Sequence, residues 1–381
     1  MSISTVPKIS VLMAVYNGLP YLREAIESVL FQTIADFEFL IIDDASTDDS
    51  VACIRSYQDP RIRLVQNEHN LGTSRTLNKG LKLSRAPYVA RLDQDDVCLP
   101  DRLQEQLLFL EKRPDIALVC SWEYGIDSHG RKIRNWRMEL ENFGAFVGPL
   151  VVGKCPIWHP SITFRRQAVI DVGGYDQSYA PAEDFELSMR FAMRRYNAAI
   201  VPKYLVMQRQ HEMRQSVQRE AAQWKKTQQC HDAMIKTFCD TPEVELVALL
   251  LRMPSEILMN TPDSGDGFWS RCRSKWQLEA VLRALHGMLA NMRTDLRLSK
   301  DEFTTLTRVV NRRLGAGARW GGKMVFLPTM FFYPIFFCLS PLLVPQIRRL
   351  ASLLYQKIHA LQYPGTLIQS CWQRLGNGRH H

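Results

Sequence analysis

Short apolar segments alternate with amphipathic segments over the first half of the chain, and this alternation limits the fold more than any other feature. KISVLMAV, FEFLII, RIRLVQ, YVARL and DIALVCS are typical of buried strands, whereas PYLREAIESVLFQT and LPDRLQEQLLFLEK repeat apolar residues with helical spacing. Strands that alternate with helices indicate βαβ units. The sequence therefore predicts an α/β fold with a Rossmann-like, mostly parallel sheet flanked by helices, in which ligands bind at the carboxyl ends of the strands.

Carboxylates follow several of the predicted strands and are expected to meet at that edge of the sheet. They are Asp43 and Asp44, then Asp93, Asp95 and Asp96, then Glu183 and Asp184. Each group alone also fits a helix cap or a solvated turn. Carboxylates packed this closely repel one another unless a cation or hydrogen-bond donors lie between them. Oxygen ligands favour Mg²⁺ or Mn²⁺, which usually complete their shell with substrate phosphates, so the pattern predicts a divalent metal and a phosphate-bearing substrate.

Several phosphate-binding classes lack their signatures in this chain. There is no GxxxxGK[ST] motif and no GxGxxG after the first predicted strand, which disfavours a P-loop ATPase and a dinucleotide-dependent dehydrogenase. A nucleotidyltransferase would normally carry a basic, glycine-rich signature where this chain has AVYNGLPYL. It stays an alternative, as does a non-catalytic homologue that only binds a nucleotide-sugar or a metal.

Charge is distributed unevenly along the chain. The net charge is +9, and residues 301–381 carry ten Lys or Arg against two carboxylates, Asp301 and Glu302. These cations surround an apolar segment rather than an aromatic groove, so nucleic acid is not an expected partner. The nine cysteines form no CxxC pair, and the first residues lack the apolar core of a signal peptide. We therefore expect a cytoplasmic catalytic domain.

The basic C-terminal segment contains 24 uncharged residues, Met324–Ile347. This length suffices to cross a bilayer of about 30 Å as a helix, but four prolines argue against one straight helix: Pro328, Pro334, Pro341 and Pro345. Insertion at the membrane interface and burial in a protein core are the alternatives to a span. Because anionic lipid attracts the flanking cations, we expect the tail to hold the protein at the cytoplasmic face of a membrane, as a peripheral or monotopic protein.

The order and spacing of several motifs resemble the inverting family 2 glycosyltransferases of the GT-A fold, from about Lys8 to His211. The matching segments are ISVLMAVYNGLPYLREAIESVLFQT, FEFLIIDDASTDDS, NEHNLGTSRTLNKGL, ARLDQDDVCLPDRL, HPSITFRRQAVIDVGGYD and AEDFEL. The resemblance implies transfer of a sugar from a UDP- or dTDP-sugar to an acceptor hydroxyl with inversion at C1. It also implies Mn²⁺ or Mg²⁺ as cofactor and a saccharide or lipid-linked acceptor, in the synthesis of cell-envelope polysaccharide or glycolipid.

The resemblance further assigns roles to individual residues. The nucleotide-sugar is expected at Val15, Tyr16, Asp44, Arg75, Asp93 and Gln94. The metal is expected at Asp93, Asp95, Asp96 and His211. Asp184 corresponds to the catalytic base, and the acceptor side is assigned to Trp158, His159 and Glu183.

These segments divide the chain into three predicted parts. Residues 1–214 are expected to form the catalytic domain, with the nucleotide-sugar half in about 1–120 and the acceptor half in about 121–214. A mainly helical region is predicted for 215–314, and the basic, membrane-associating tail for 315–381.

Overall fold

The protein is seen in a computed structural model that describes residues 6–252, 275–314, 318–320 and 323–325. The strands outside the C-terminal segment are β1 (Ile9–Val15), β2 (Phe37–Asp43), β3 (Ile62–Gln66), β4 (Tyr88–Arg91), β5 (Val97–Cys98), β6 (Ile116–Ile126), β7 (Lys132–Trp136), β8 (Thr163–Arg165) and β9 (Asn197–Arg209). They form one sheet in the order β3-β2-β1-β4-β8-β6-β9-β5, and β7 pairs with β6. The five strands predicted from the apolar segments are confirmed.

Strands β1 to β4 carry or precede most of the residues predicted to bind the nucleotide-sugar, and we call this part of the sheet the donor half. It is parallel, as predicted. β1 lies between β2 and β4, and all three run in the same direction, as does β3 beside β2. The helices of this half are α1 (Leu22–Leu30), α2 (Ser50–Arg55), α3 (Thr73–Leu83) and α4 (Arg102–Lys112). In α1 the apolar residues recur with helical spacing and are buried against the strands, which explains why this segment folds as a helix on the sheet.

The remaining strands, β5 to β9, lead to the residues predicted for the acceptor side, and we call this part of the sheet the acceptor half. It makes the sheet mixed rather than mostly parallel. β8 lies between β4 and β6 and runs antiparallel to both, because the chain enters it from the opposite edge of the sheet. β6 and β9 pair in parallel over their whole length, with register shifts, whereas β5 and β7 add antiparallel edges. The fold is α/β, but the prediction of a mostly parallel sheet holds only for its first half.

Helices of the acceptor half and of the C-terminal region pack together. They are α5 (Phe143–Val151), α6 (Arg166–Asp171), α7 (Glu183–Met193), α8 (Gln215–Gln218), α9 (Glu220–Phe238), α10 (Val244–Arg252), α11 (Lys275–Asp295) and α12 (Lys300–Leu314). Gly144 on α5 allows the closest approach, since a Cβ atom there would lie 1.9 Å from the carbonyl oxygen of Glu302. Asn142 caps α5 by accepting from the N–H of Ala145, and its amide also donates to Thr305 on α12. The helical region therefore supports the acceptor half directly.

Of the predicted membrane-associating tail, residues 315–381, the structure describes only residues 318–320 and 323–325. β10 (Ala318–Trp320) and β11 (Lys323–Val325) form an antiparallel pair, and the rest of Met324–Ile347 lies outside the described residues. Among the residues that the structure describes, no helix is both long and apolar enough to span a bilayer.

Candidate active site

The parallel strands bring the predicted donor-side residues to one edge. Val15 at the end of β1 lies opposite Asp43 at the end of β2, and the carbonyl of Val15 accepts a hydrogen bond of 2.7 Å from the N–H of Asp44. β4 runs beside β1 and leads into Asp93. The loops that carry Tyr16, Asp44 and Asp93 therefore leave neighbouring parallel strands on the same side, as the sequence predicts.

The three aspartates after β4 form a tight cluster. Oxygen atoms of Asp93, Asp95 and Asp96 lie within 4.8 Å of one another. Asp93 makes an ion pair with Arg91, and Asp95 Oδ2 lies 2.8 Å from His211 Nε2. Asp96 is buried, and its Oδ1 accepts a hydrogen bond of 2.8 Å from the N–H of Arg209.

Burial makes the ionised state of this cluster costly. It raises the pKa of Asp96 well above its ordinary value, and the nearby charges of Asp95 and Asp93 raise that pKa further. Burial likewise raises the pKa of Asp93, against the opposing effect of the Arg91 guanidinium. The second oxygen of Asp96 has no hydrogen-bond partner among the described residues. A cluster of carboxylate oxygens, one of them buried without a hydrogen-bond partner in that part of the chain, fits a hard divalent cation.

Arg209 at the end of β9 fixes the turn that carries the cluster. Its fully buried guanidinium donates to the carbonyl of Asp95 at 3.0 Å and to that of Asp127 at 3.2 Å, and it pairs with Glu24 at 2.5 Å. The ring of Tyr21 lies 4.6 Å from this guanidinium. Sequence reasoning missed Arg209 and Tyr21, because neither belongs to a motif that reports these long-range contacts.

His211, which resemblance assigned to the metal, lies beside the aspartates. Besides its contact with Asp95, its ring lies 4.8 Å from the ring of Tyr21. Tyr21 therefore contacts both Arg209 and His211, and it fixes the end of β9 against the start of α1. The structure brings together four predicted metal-site residues, three of them on one turn and the fourth more than a hundred positions later in the chain.

Gln94, between the metal-site aspartates, hydrogen-bonds to the backbone of the first loop. Its Oε1 accepts from the N–H of Tyr16 at 2.8 Å, and its Nε2 donates to the carbonyl of Tyr16 at 3.1 Å. The Tyr16 side chain is left 46% exposed at the edge of the sheet. Gln94 therefore links the loop after β1 to the loop after β4, while the ring of Tyr16 stays accessible.

Asp44, predicted to contact the nucleotide, is buried and already has several partners. Its carboxylate accepts hydrogen bonds from the side chain of Asn67 at 2.6 Å and from the N–H groups of Leu71 and Gly72 at 2.9 Å each. These contacts hold the loop that leads into α3. The neighbouring Asp43 is also buried, and one of its oxygens has no hydrogen-bond partner within the described part of the chain.

Glu183 and Asp184 occupy the first turn of α7. Burial, followed by the charge of Asp184, raises the pKa of Glu183 to about 7. One oxygen of Glu183 has no hydrogen-bond partner among the described residues. Asp184 accepts a hydrogen bond of 2.7 Å from the N–H of Phe185, yet burial still raises its pKa. Carboxyl groups with raised pKa values are typical of sites that transfer protons.

Arg91 interacts with both carboxylate groups. It pairs with Asp93, and its positive charge also lowers the pKa of Glu183 and of Asp184. Two of its side-chain nitrogens are buried without a hydrogen-bond partner in the described residues. The sequence did not single out Arg91, although a charged residue at the end of an otherwise apolar strand was the available signal.

Of the residues assigned to the acceptor side before α7, His159 is buried and Trp158 is half-buried. His159 Nε2 lies 3.0 Å from the hydroxyl of Tyr175, and burial together with the Arg91 charge holds the pKa of His159 well below its ordinary value. His159 is therefore neutral near pH 7. Trp158 is half-buried, and its carbonyl accepts from the N–H of Ser161 at 3.1 Å.

Glu123 on β6, which sequence reasoning missed, is completely buried. Neither of its oxygens has a hydrogen-bond partner in the described residues, and burial raises its pKa to about 7.

Arg75 on α3 contacts the side chain of Gln177 and lines a cavity together with Glu183. The predicted nucleotide residue Arg75 therefore faces the segment that leads into α7.

Some known proteins are similar to this chain in sequence, and others are similar to it in fold. The sequence model described as Glycosyl transferase family 2 matches residues 10–174. An uncharacterised glycosyltransferase of Methanocaldococcus jannaschii is 33% identical over 207 residues, which cover 53% of this chain and 71% of the relative. The chain belongs to glycosyltransferase family 2. The resemblance seen in its motifs is thereby confirmed.

Other family members with similar sequences have more specific names. The putative glycosyltransferase EpsE of Bacillus subtilis is 34% identical over an alignment that covers 50% of this chain and 70% of EpsE. The amylovoran biosynthesis glycosyltransferase AmsE of Erwinia amylovora is 30% identical, with 52% and 74% coverage. Among solved structures, residues 1–349 of TarS from S. aureus, in complex with UDP-GlcNAc, align with a TM-score of 0.52 at 17% identity, covering 84% of this chain and 96% of that one. This likeness shows the GT-A-like fold.

Proposed function

We propose that this family 2 glycosyltransferase moves a sugar from a nucleotide-diphosphate donor to an acceptor hydroxyl, with inversion at C1 and with the help of a divalent metal. The observation that carries the proposal is the pairing of two unlike carboxylate groups around Arg91. Asp93, Asp95 and Asp96 gather oxygens within 4.8 Å, whereas Glu183 and Asp184 have raised pKa values that the Arg91 charge partly offsets.

The residues present fit Mn²⁺ or Mg²⁺. Asp93, Asp95 and Asp96 supply carboxylate oxygens, one oxygen of Asp96 has no hydrogen-bond partner among the described residues, and His211 adds an imidazole nitrogen that Mn²⁺ accepts. A bound cation would stabilise the negative charge of the departing diphosphate. Arg209 and Tyr21 would keep the ligands in place through the contacts described above.

The acceptor side supplies the proton transfer. Inversion requires the acceptor oxygen to attack C1 opposite the diphosphate, forming the new C1–O bond as the bond to the diphosphate oxygen breaks. The hydroxyl proton moves to the carboxylate of Asp184, and the diphosphate keeps the bonding electron pair. Glu183 is the second candidate for the base, since it has an oxygen without a partner in the described residues and a pKa of about 7. No covalent bond to the protein is needed.

A UDP-sugar is the first donor to test, because TarS, which shares the fold, binds UDP-GlcNAc. Tyr16, at the exposed end of β1, is available to contact the base or ribose, and Val15 precedes it. A polysaccharide acceptor is supported by the name of AmsE, which is assigned to amylovoran biosynthesis. We therefore propose a saccharide or lipid-linked acceptor of the cell envelope.

The test is a panel of UDP-, dTDP- and GDP-sugars, with nucleotide release measured in Mn²⁺, Mg²⁺ and EDTA. We expect release from one donor class, dependent on the metal. Equal rates in EDTA would remove the metal from the proposal. Release of pyrophosphate from a nucleoside triphosphate and a sugar phosphate would support a nucleotidyltransferase, and metal-dependent binding without turnover of any donor or acceptor would support a non-catalytic homologue.

We also propose that the tail from about Gly315 attaches the enzyme to the cytoplasmic face of a membrane. The uncharged run and its basic flanks support two kinds of attraction, apolar insertion and contact with anionic lipid. High salt screens the second and not the first. Full-length protein should therefore stay in the membrane pellet through a 1 M salt wash, at a Debye length of about 3 Å, and leave it in detergent. Release by salt alone would limit the tail to a peripheral basic patch.

A further inference from the structure

Two adjoining cavities open beside α3, and Arg75 is the residue assigned to the nucleotide that lines them. The larger, of about 620 Å³, lies between α3 and the Gly173–Gln177 turn, and the smaller, of about 290 Å³, lies between the start of α3 and Glu183. They share Arg75 and Gln177. Volumes of about 300–1,000 Å³ are usual for small-molecule sites. We call the two together the α3 groove.

Cations line the α3 groove along its length. They are Arg75, Lys79, Lys82, Arg190 and Arg219. Arg190 pairs with Glu186, and Lys79 donates to the side chain of Asn67 at 2.7 Å. Lys82 and Arg219 are exposed and make no ion pair with any residue in the described part of the chain. The groove therefore has positive charge at both ends that is available to a ligand.

The start of α3 adds a second, independent feature. The first N–H groups of a helix have no partner within the helix, and they favour an anion. Gly72 precedes this helix without a side-chain cap. The hydroxyl of Ser74, which lines the smaller cavity, is 2% exposed and has no hydrogen-bond partner among the described residues. A buried donor without a partner is costly unless a ligand completes it.

We infer that the α3 groove binds an oxyanion, a phosphate or carboxylate group carried by the acceptor. This inference rests on the proposed function, because the acceptor must reach the carboxylates of α7, and the smaller cavity begins at Glu183. Of the residues assigned to the donor, Arg75 lines both cavities, whereas Tyr16, Asp44 and Asp93 line neither. The acceptor hydroxyl lies at the α7 end, and the anionic group extends along α3 towards Lys82.

The test measures binding of two simple anions to the full-length enzyme in detergent. Inorganic tripolyphosphate and trigalacturonate represent the phosphate and carboxylate sources, and calorimetry in EDTA keeps metal chelation out of the result. The groove variant is Lys82→Gln/Arg219→Gln. The control is Lys112→Gln/Arg283→Gln, which removes two exposed cations of α4 and α11 that line neither cavity. UDP binding with Mn²⁺ is measured separately for each protein.

We expect the wild type to bind at least one anion and the groove variant to bind it at least about tenfold more weakly, since hydrogen bonds to charged groups are the strong ones. The control should stay within twofold of the wild type, and UDP affinity should be unchanged in both variants. The anion that binds with the higher affinity, tripolyphosphate or trigalacturonate, shows whether the groove prefers a phosphate or a carboxylate group. Wild-type affinity in the groove variant, no binding of either anion, or a matching loss of UDP binding would overturn the inference. A failed donor screen with intact anion binding would instead count against the proposed function.

Discussion

The donor half and the acceptor half hold their carboxylates in different ways. On the donor side, Asp93, Asp95 and Asp96 each have a partner, in Arg91, His211 and the N–H of Arg209. On the acceptor side, both oxygens of Glu123 and one of Glu183 lack a hydrogen-bond partner among the described residues. Asp93 and Asp96 also have raised pKa values, and one oxygen of Asp96 is also unpaired among the described residues, so the difference lies in the clustering. Three carboxylates within 4.8 Å of one another suit a cation, whereas carboxyl groups outside such a cluster suit a proton. The halves are therefore expected to respond differently to loss of a carboxylate.

Asp184→Asn should have the largest effect, and it should affect turnover alone. The amide keeps the shape of the side chain but cannot accept the acceptor proton, so kcat should fall by about 10²–10⁴. UDP binding with Mn²⁺ should stay within about twofold of the wild type, because Asp184 does not belong to the cluster of three aspartates. Kinetics and calorimetry on the same preparation check both expectations.

The matched controls are Glu183→Gln and Asp115→Asn, the latter on an exposed residue paired with Arg113. If Asp184→Asn keeps its turnover and Glu183→Gln loses it, Glu183 is the base. If Asp184→Asn loses UDP binding as well, the contrast between the two halves fails at this residue.

Asp95→Ala should act mainly on binding. Loss of an outer-shell partner of a metal commonly costs about 10–100-fold in metal affinity, so loss of a direct ligand should weaken Mn²⁺-dependent UDP binding by at least about 100-fold. Calorimetry with and without Mn²⁺ measures the change. Asp101→Ala, which removes an exposed carboxylate that caps nothing with its side chain, is the control and should bind normally. Unchanged binding in Asp95→Ala would remove Asp95 from the metal site.

Glu123→Gln should change how stability depends on pH. Glu123 has a folded pKa of about 7, against an ordinary value of 4.5. Between these values the folded protein keeps a proton that the unfolded chain has lost, so the free energy of unfolding falls as pH rises, by about 3 kcal/mol for this group. Glutamine does not titrate, so the variant should lose that part of the slope. Denaturant unfolding at pH 4.5 and pH 8 measures it.

Glu183, with a similar pKa, contributes its own slope to both proteins, so the difference between wild type and Glu123→Gln isolates Glu123. Glu111→Gln on the exposed face of α4 is the control and should leave the slope unchanged. An equal slope in wild type and Glu123→Gln would show that Glu123 is ionised in the folded protein, with a cation or a donor beside it.

The donor half could be predicted from sequence because its geometry is local. Each strand there is a short apolar run, and parallel pairing then places Asp44 and Asp93 at one edge without any knowledge of side-chain contacts. The acceptor half could not be predicted in the same way. β8 enters the sheet antiparallel, and its position between β4 and β6 depends on contacts between residues far apart in the chain.

Residue types that act through distant partners were also out of reach. Arg209 is separated from its partner Glu24 by 185 positions, and no spacing rule connects them. Arg91 differs, because its place at the end of a buried strand is visible in the sequence, while its action on both carboxylate groups is visible only in three dimensions. The family resemblance supplied the residues at motif positions, among them Arg75, but it did not indicate the rest of the α3 groove or the packing of α12.

The two halves also differ in whether a helix outside residues 10–174, the part that matches the family, packs against them. Gly144→Ala tests this difference. The donor half is covered by α1 to α4, which lie within its own sequence, whereas α5 of the acceptor half packs against α12. A Cβ atom at residue 144 would lie 1.9 Å from the carbonyl oxygen of Glu302, so α12 must move away. Overpacking of this kind costs about 1–3 kcal/mol, more than the 0.5–1 kcal/mol or so that alanine gains over glycine in a helix.

Gly287→Ala on α11 is the matched control, since nothing lies within 4 Å of a Cβ atom there, and it should be neutral or slightly stabilising. Denaturant unfolding should rank Gly144→Ala below the wild type, with UDP affinity retained because the donor half keeps its own helices. Equal stability of the two variants would mean that α12 does not support the acceptor half, and loss of UDP binding in Gly144→Ala would show that both halves depend on that contact.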